Sequence, residues 1–210
     1  MHGSFSQSFR DELGHLMRWR RDVRRFRTDA VDGALLDRCL AAFSKAPSVG
    51  LSEPWRLVRV QSPVARAAMQ ANFAEMNAQA LASQSDDRAA SYARLKLSGM
   101  AEAPVQLAVF CDDATTKGAG LGAGSMPEAR AYSVVGAITL FWLAARAEGL
   151  GVGWVSILDP GRVTADLNVP PDWRFVACLC VGWPEAAHDT PELERMGWEQ
   201  RAPSLLIESR

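Results

Sequence analysis

A single domain that packs helices against a sheet is the fold class the sequence predicts, and three observations predict it. The 210 residues are enough to bury one full core, and no internal repeat or shift of composition marks a second domain within 1–210. The run 105–111, with Val105, Leu107, Val109 and Phe110, is almost wholly apolar, as a strand covered on both faces must be. The fifteen residues 131–145 carry no charge and are apolar on nearly every side, which predicts a helix buried all round. That helix is shorter than the ~20 residues a membrane span needs, so it reads as a central helix or a subunit interface.

Along the chain, Ser8-Phe9-Arg10-Asp11 has the shape of a capping box, and Phe9, Leu13, Leu16 and Met17 recur at helical spacing up to about Trp19. After an arginine-rich stretch, Asp32 is a candidate N-cap for a helix carrying Leu35, Leu36, Cys39, Leu40 and Phe43 on one side. It runs to about Lys45, where Ala46-Pro47 stops it. Pro47, Gly50 and Pro54 make 47–55 a loop, which feeds a strand over 55–60 whose alternating apolar and basic residues suit an edge or half-buried position. Ser62-Pro63 opens a long polar-alanine helix to about Ser83, and Asp86 or Asp87 restarts helix through Tyr92, Leu95 and Met100. Ala103-Pro104 closes it and introduces the 105–111 strand. In the loop 112–127, Gly118, Gly120, Gly122 and Gly124 fall at every second position; this fits neither a P-loop nor a dinucleotide fingerprint and reads as a flexible flap. Gly149, Gly151 and Gly153 cap the uncharged helix and hand over to a strand at 154–158. Asp159-Pro160 starts a short helix to Leu167, Pro170-Pro171 ends it, and 173–183 is the last core strand. The C-terminal extension 184–210 is polar and aperiodic, and is predicted to lie along another surface such as a partner subunit's.

Charge is concentrated rather than general. Six arginines and one carboxylate fall in Arg18-Trp19-Arg20-Arg21-Asp22-Val23-Arg24-Arg25-Phe26-Arg27, in a chain of formal net charge −1. That balance argues against a nucleic-acid or membrane-surface partner and for a local anion site. Guanidinium forks match phosphate oxygens, and alternate residues of an extended segment point the same way, so Arg20, Asp22 and Arg24 share one face. Val23 and Phe26 read as anchors into a core. The competing reading is a solvated turn whose arginines pair with surface carboxylates. Of four cysteines, Cys178 and Cys180 are read as pointing to opposite faces of a strand, and Cys39 and Cys111 sit in apolar settings. With no Cys-x-x-Cys and with His2, His15 and His188 scattered, the expectation is buried free thiols and no metal. Met1-His2-Gly3-Ser4-Phe5 lacks a signal-peptide pattern, which predicts a cytoplasmic protein.

Four stretches, in order, carry a resemblance. They are Arg20-Arg21-Asp22-Val23-Arg24-Arg25-Phe26, then Ala46-Pro47-Ser48-Val49-Gly50-Leu51-Ser52-Glu53-Pro54-Trp55, then Met126-Pro127-Glu128, and then Ala144-Ala145-Arg146-Ala147-Glu148-Gly149-Leu150-Gly151-Val152-Gly153-Trp154-Val155-Ser156. Over roughly residues 17–201 the chain resembles the flavin-dependent nitroreductase family. The resemblance implies an α+β fold, a nitroreductase-like three-layer sandwich with a mixed, mostly antiparallel sheet flanked by helices. It also implies an intertwined homodimer with a C-terminal extension and FMN at the dimer interface. By the same resemblance Arg20, Arg21 and Arg24 grip the phosphate and ribityl chain, with Asp22 and Val23 in the same motif. Pro47 and Ser48 line the flavin edge, Arg201 adds a phosphate contact, and Leu97 is placed by similarity alone. The 151–156 backbone, Gly153 and Ser156 included, lies against the isoalloxazine, its glycines permitting close approach.

One departure points to a branch of the family. Ordinary members usually carry Ser where this chain has Asp22, and the branch that consumes its flavin has Asp there with a serine matching Ser156. In that branch FMN in its reduced form, FMNH2, is a substrate supplied by a separate flavin reductase. With O2 as co-substrate it is cut apart to 5,6-dimethylbenzimidazole, the lower ligand of cobalamin (vitamin B12), and D-erythrose 4-phosphate. The resemblance then implies Asp22 as general base and Ser156 as a hydrogen-bonding group, in an apolar pocket that keeps water away. The alternatives are an NAD(P)H-dependent FMN nitroreductase or flavin reductase that keeps its flavin, and a non-catalytic flavin-binding protein. Asp22 could also merely neutralise its neighbouring arginines, and Ser156 could make only a local backbone bond. Met126-Pro127-Glu128 either caps the uncharged helix or forms a lid, and Trp55 and Trp154 read as packing residues.

Overall fold

Side-chain caps set where the first helices begin. In the computed structural model, which describes residues 3–210 with Asp87 through its backbone alone, α1 (Gln7–Trp19) is capped by Ser6, whose hydroxyl accepts from the Phe9 N–H at 3.2 Å. Met1 and His2, used in the reading of the N-terminus and of the histidines, lie outside the described residues. Ser8, expected as the cap, lies inside the helix facing Glu12, because Ser6 reaches the orphan amide first. α2 (Gly33–Leu40) is capped by Asp32 as predicted, through the Leu35 N–H at 2.8 Å. It ends at Leu40 rather than Lys45, and a 3-10 turn, Phe43–Lys45, carries Phe43 into the core. A second 3-10 turn, Val49–Leu51, lies in the predicted loop, with Leu51 and Glu53 at φ 57° and 44°. Two non-glycine residues in the left-handed region are backbone strain of the kind that gathers at functional loops.

β1 (Trp55–Arg59) and α3 (Pro63–Ala82), the latter capped by Ser62 with Pro63 in its first turn, follow the prediction. α4 (Asp86–Ala93) stops at Ala93 rather than Met100, and Met100 reaches the core from a turn. β2 (Val105–Asp112) is buried on both faces as expected. α5 (Ala129–Ala147) is followed by β3 (Gly151–Val155), which begins earlier than predicted, so that Gly151 and Gly153 lie in the strand and Ser156 lies just beyond it. α6 (Pro160–Asp166), capped by Asp159, β4 (Trp173–Gly182) and the short α7 (Glu192–Arg195) complete the chain.

The sheet has the order β1-β2-β4-β3, and every neighbouring pair is antiparallel; a parallel bridge from Asp22 to Val152 gives it a mixed edge. Alternation along the strands builds two cores. Leu107, Val109, Ala177, Leu179 and Val181 enter one with α2 and α5, and Ala108, Phe110, Cys178 and Cys180 enter the other with α3 and α6. Helices therefore cover both faces in three layers. Cys178 and Cys180 share one face of β4, correcting the expectation of opposite faces, since residues two apart on a strand point the same way. All four cysteines are free and buried.

α5 is not buried all round within one protomer. Val134, Ala137, Ile138, Phe141 and Ala145 face the core, whereas Tyr132 and Val135 are 58% and 40% exposed. No residue of α1 is buried, and its Phe9 and Met17 are exposed. The loop 112–127 docks on the Val49–Leu51 turn, where a Cβ on Gly118 would stand 2.3 Å from the Gly50 carbonyl oxygen. Among the described residues no helix is long and apolar enough to cross a membrane.

Candidate active site

The arginine-rich segment is extended and lies along the free edge of β3. The Val23 N–H donates to the Val152 carbonyl at 3.0 Å, and the Arg27 N–H to the Trp183 carbonyl at 2.8 Å. Phe26, 1% exposed, anchors it in the α3 and α6 core as predicted. Gly151 and Gly153 make this seat: a Cβ on Gly153 would be 2.0 Å from the Val23 carbonyl oxygen, and one on Gly151 would be 2.8 Å from a Val23 methyl. One close approach those glycines permit is to Val23.

This seat fixes Asp22. Its Oδ1 accepts from the Trp154 N–H at 2.8 Å and its Oδ2 from Arg24 Nε at 2.8 Å, while Arg24 Nη1 donates to the Lys96 carbonyl at 3.2 Å. A half-buried carboxylate that accepts from a backbone amide and a guanidinium is held as an acceptor in one orientation. Arg24 is committed to Asp22 and Lys96, and it brings neighbouring Leu97 to the same place. Beneath them, the Cys180 thiol is pushed up by its bond with Cys178 and by burial, with the Asp22 charge adding to the effect, so it remains protonated. Cys111, on the opposite face, is pushed up to about 12 by burial and by Asp113.

On the other side of Asp22 the cations crowd. Arg20 lies over the Trp142 ring at 4.9 Å, and Trp142 stacks on Trp154 at 6.5 Å. Trp154 is a packing residue here, as is Trp55 against Phe43 at 6.4 Å. Arg21 donates to the carbonyls of Asp189 and Arg20, at 2.8 and 2.7 Å, and burial together with the neighbouring Arg20 and Arg201 cations lowers its pKa. Among the described residues neither Arg20 nor Arg21 has a carboxylate within salt-bridge distance. The solvated-turn reading does hold for Arg25 and Arg27, which pair with Glu192 at 3.6 Å and Asp29 at 2.8 Å. Arg201, paired with Glu194 at 2.8 Å, lies close enough to Arg21 to affect its charge.

Pro47 and Ser48 do not join it within one protomer. Ser48 Oγ accepts from the Glu53 N–H at 3.1 Å, and the adjacent Val49 N–H donates to Ser133 Oγ at 3.0 Å, which ties this loop to the start of α5. Arg20 and Trp142 sit near the other end, roughly 14 Å away along the helix axis at ~1.5 Å per residue. Ser156 is exposed just past β3, two residues beyond the amide that Asp22 holds. Glu128 occupies the N-cap position of α5 without a side-chain capping bond.

Two supporting residues escaped the sequence reading. Asn72, fully buried in α3, donates to the Asp159 carbonyl at 3.1 Å and accepts from the Asp159 N–H at 2.8 Å, which fixes the turn that follows Ser156. An asparagine inside an alanine-rich helix was the available signal. Asn72→Ala strands both Asp159 groups and is expected to cost about 2 kcal/mol, read as a lower urea midpoint with unchanged slope. Trp198, in the C-terminal extension, packs on α4 against Tyr92 and Arg88.

Residues 17–183 match the description of the Nitroreductase family, and the chain belongs to that family. Its fold agrees: a crystal structure of oxidized iodotyrosine deiodinase bound to FMN and 3-iodo-L-tyrosine superposes with a TM-score of 0.72 at 21% identity, over 94% of this chain and 97% of that one. A nitroreductase-like protein from Bacillus cereus superposes with a TM-score of 0.63 at 19% identity over 100% of both chains.

Within the family, three relatives of nearly full length share one name. The chain is 58% identical to the 5,6-dimethylbenzimidazole synthase of Rhodospirillum rubrum, over 97% of this chain and 96% of that protein. It is 50% identical to that of Rhodobacter capsulatus, over 96% and 97%. The resemblance to the 5,6-dimethylbenzimidazole synthases is borne out by these relatives, and the chain is an enzyme of that kind.

Proposed function

We propose that the chain makes 5,6-dimethylbenzimidazole by the O2-dependent fragmentation of reduced FMN, with release of erythrose 4-phosphate, and that a separate flavin reductase supplies the reduced flavin. The observation that carries the reading is the Asp22 carboxylate, clamped between the Trp154 amide and Arg24 with oxygen lone pairs left for a substrate proton. A flavin carrier has no need of such a group.

The residues fit a phosphorylated flavin. Arg21 hydrogen-bonds only to carbonyls and is crowded by Arg20 and Arg201. Asp189 and Glu194 offset that charge in part, the net effect still lowers its pKa, and a phosphate there would add a direct counter-charge. Arg20, Arg21 and Arg201 would hold the phosphate; Asp22, Val23, Arg24 and Leu97 would flank the remainder of the molecule. In this reading Asp22 takes a proton as general base, Ser156 donates a hydrogen bond, and Trp142 and Trp154 exclude water beside them. Reduced FMN itself supplies the ring atoms of the product and the electrons that react with O2. Pro47 and Ser48 reach such a site from a second copy of the chain, because their own copy holds them at the far end of α5. The outward Tyr132 and Val135 of α5 and the unburied apolar stripe of α1 suit that homodimer.

FMN reduced chemically with the purified protein, then exposed to air, is expected to yield dimethylbenzimidazole by chromatography with mass detection. Recovery of intact oxidised FMN would reject the synthase reading and favour NAD(P)H turnover by a flavin-retaining reductase.

A further inference from the structure

The C-terminal extension makes contacts for which the flavin reading has no use. α7 is stopped by Gly197 at φ 71°, and the chain turns back so that the Trp198 N–H donates to the Leu193 carbonyl at 2.8 Å. Trp198 is then seated on α4. The Arg88 guanidinium lies 4.3 Å from its ring centre, Tyr92 meets the ring edge-on at 6.0 Å, and Arg88 Nη2 donates to the Trp198 carbonyl at 3.3 Å. Tyr92 is buried and its hydroxyl donates to Asn77 of α3 at 2.9 Å.

The same extension touches the arginine segment. The Asp189 carbonyl takes Arg21 Nε at 2.8 Å, and within the extension Glu194 takes Arg201 Nε at 2.8 Å, which sets the Arg201 cation near Arg21. The chain that leaves α4 at Ala93 continues to Lys96, whose carbonyl is held by Arg24, the partner of Asp22. These contacts form a circuit with one gap: Asp22, Arg24, the 86–97 segment, Trp198, the extension and Arg201 follow one another, and Arg21 faces Arg201 with repulsion and no bond between them.

We infer that Trp198 is a positioning residue: it couples a phosphate held between Arg21 and Arg201 to the placement of the 86–97 segment beside Asp22. The inference deepens the proposed flavin reading and rests on it. Arg21, bonded to the extension through the Asp189 carbonyl, and Arg201, within the extension and paired with Glu194, repel each other. A phosphate dianion between them adds to the attraction Glu194 already supplies and fixes the extension against Arg21. Trp198 transmits the constraint because its cation–π and edge-to-face contacts both require the ring in place. A flavin without phosphate leaves the circuit open at Arg21 and Arg201. The phosphate is thereby used to order the segment next to the base, as well as to bind.

The test is amide hydrogen exchange across 86–97 in the full-length protein, alone and saturated with oxidised FMN or riboflavin. FMN is expected to slow exchange there by about tenfold or more, and riboflavin to leave it unchanged. Trp198→Ala is expected to abolish the slowing while FMN affinity falls by no more than about tenfold, and Trp198→Phe to restore it. Arg88→Gln removes the cation from an exposed helix surface and is expected to weaken the slowing even if Trp198→Ala proves unstable. Slowing that persists in Trp198→Ala and in Arg88→Gln overturns the coupling and leaves the flavin reading standing. Equal binding of FMN and riboflavin by the parent chain, or no flavin binding, overturns the phosphate assignment and the coupling together.

Discussion

Asp22→Asn is expected to bind FMN nearly as well as the parent chain and to lose dimethylbenzimidazole formation by about 10²-fold or more. The amide oxygen can keep the Trp154 N–H that Oδ1 now accepts at 2.8 Å, so the seat of the segment survives. The amide nitrogen then faces Arg24 Nε, donor against donor, where a carboxylate oxygen now accepts at 2.8 Å. Arg24 loses its counter-charge but keeps the Lys96 carbonyl. The Asp22 side chain is 30% exposed, so the stability cost is only about 1 kcal/mol after solvent screening. What disappears is a base, because an amide cannot accept a proton near neutral pH. Binding followed by flavin fluorescence and product followed by mass detection separate the two effects. Full activity in the variant would remove Asp22 from the chemistry and leave it as the clamp for Arg24 and Trp154.

Gly153→Ala is expected to be the most disruptive single methyl group in the site. The added Cβ would stand 2.0 Å from the Val23 carbonyl oxygen, and this neighbour is backbone, with no flexible side chain to swing aside. Either β3 or the arginine segment must move, breaking the Val23 to Val152 bond and carrying Asp22 and Arg24 with it. The expected cost is about 3 kcal/mol, with flavin binding lost as well. Gly14→Ala is the contrast. Nothing lies within 4 Å of a Cβ there, the residue is inside α1, and the gain from helix propensity is expected to be about 0.5–1 kcal/mol. Thermal midpoints that fall for Gly14→Ala, or hold steady for Gly153→Ala, would contradict the packing described for these positions.

Much of the architecture is legible before any coordinates, because it is written in local patterns. Ser62-Pro63 and Asp159-Pro160 start helices where they appear, and the run from Val105 is buried on both faces. The arginine motif stands out by charge density alone, and the family resemblance supplies the proposed chemistry. The departures share a cause. The start of β3 at Gly151, the end of α4 at Ala93 and the Met100 turn are set by contacts with distant chain. Glycine in isolation predicts a cap; glycine under Val23 is a strand residue.

The sequence by itself determined the elements, their order, the buried central strands, the cationic segment and the family, since each depends on residue type at short spacing. Only the tertiary structure decided which arginines stand without a carboxylate, that Arg24 serves the distant Lys96, and that Trp198 packs on α4. Arg25 looks like Arg20 and Arg21 in the sequence, yet it pairs with the distant Glu192. The physical reason is that electrostatic partnership depends on distances of a few ångströms between residues far apart in the chain, and nothing in local spacing encodes them.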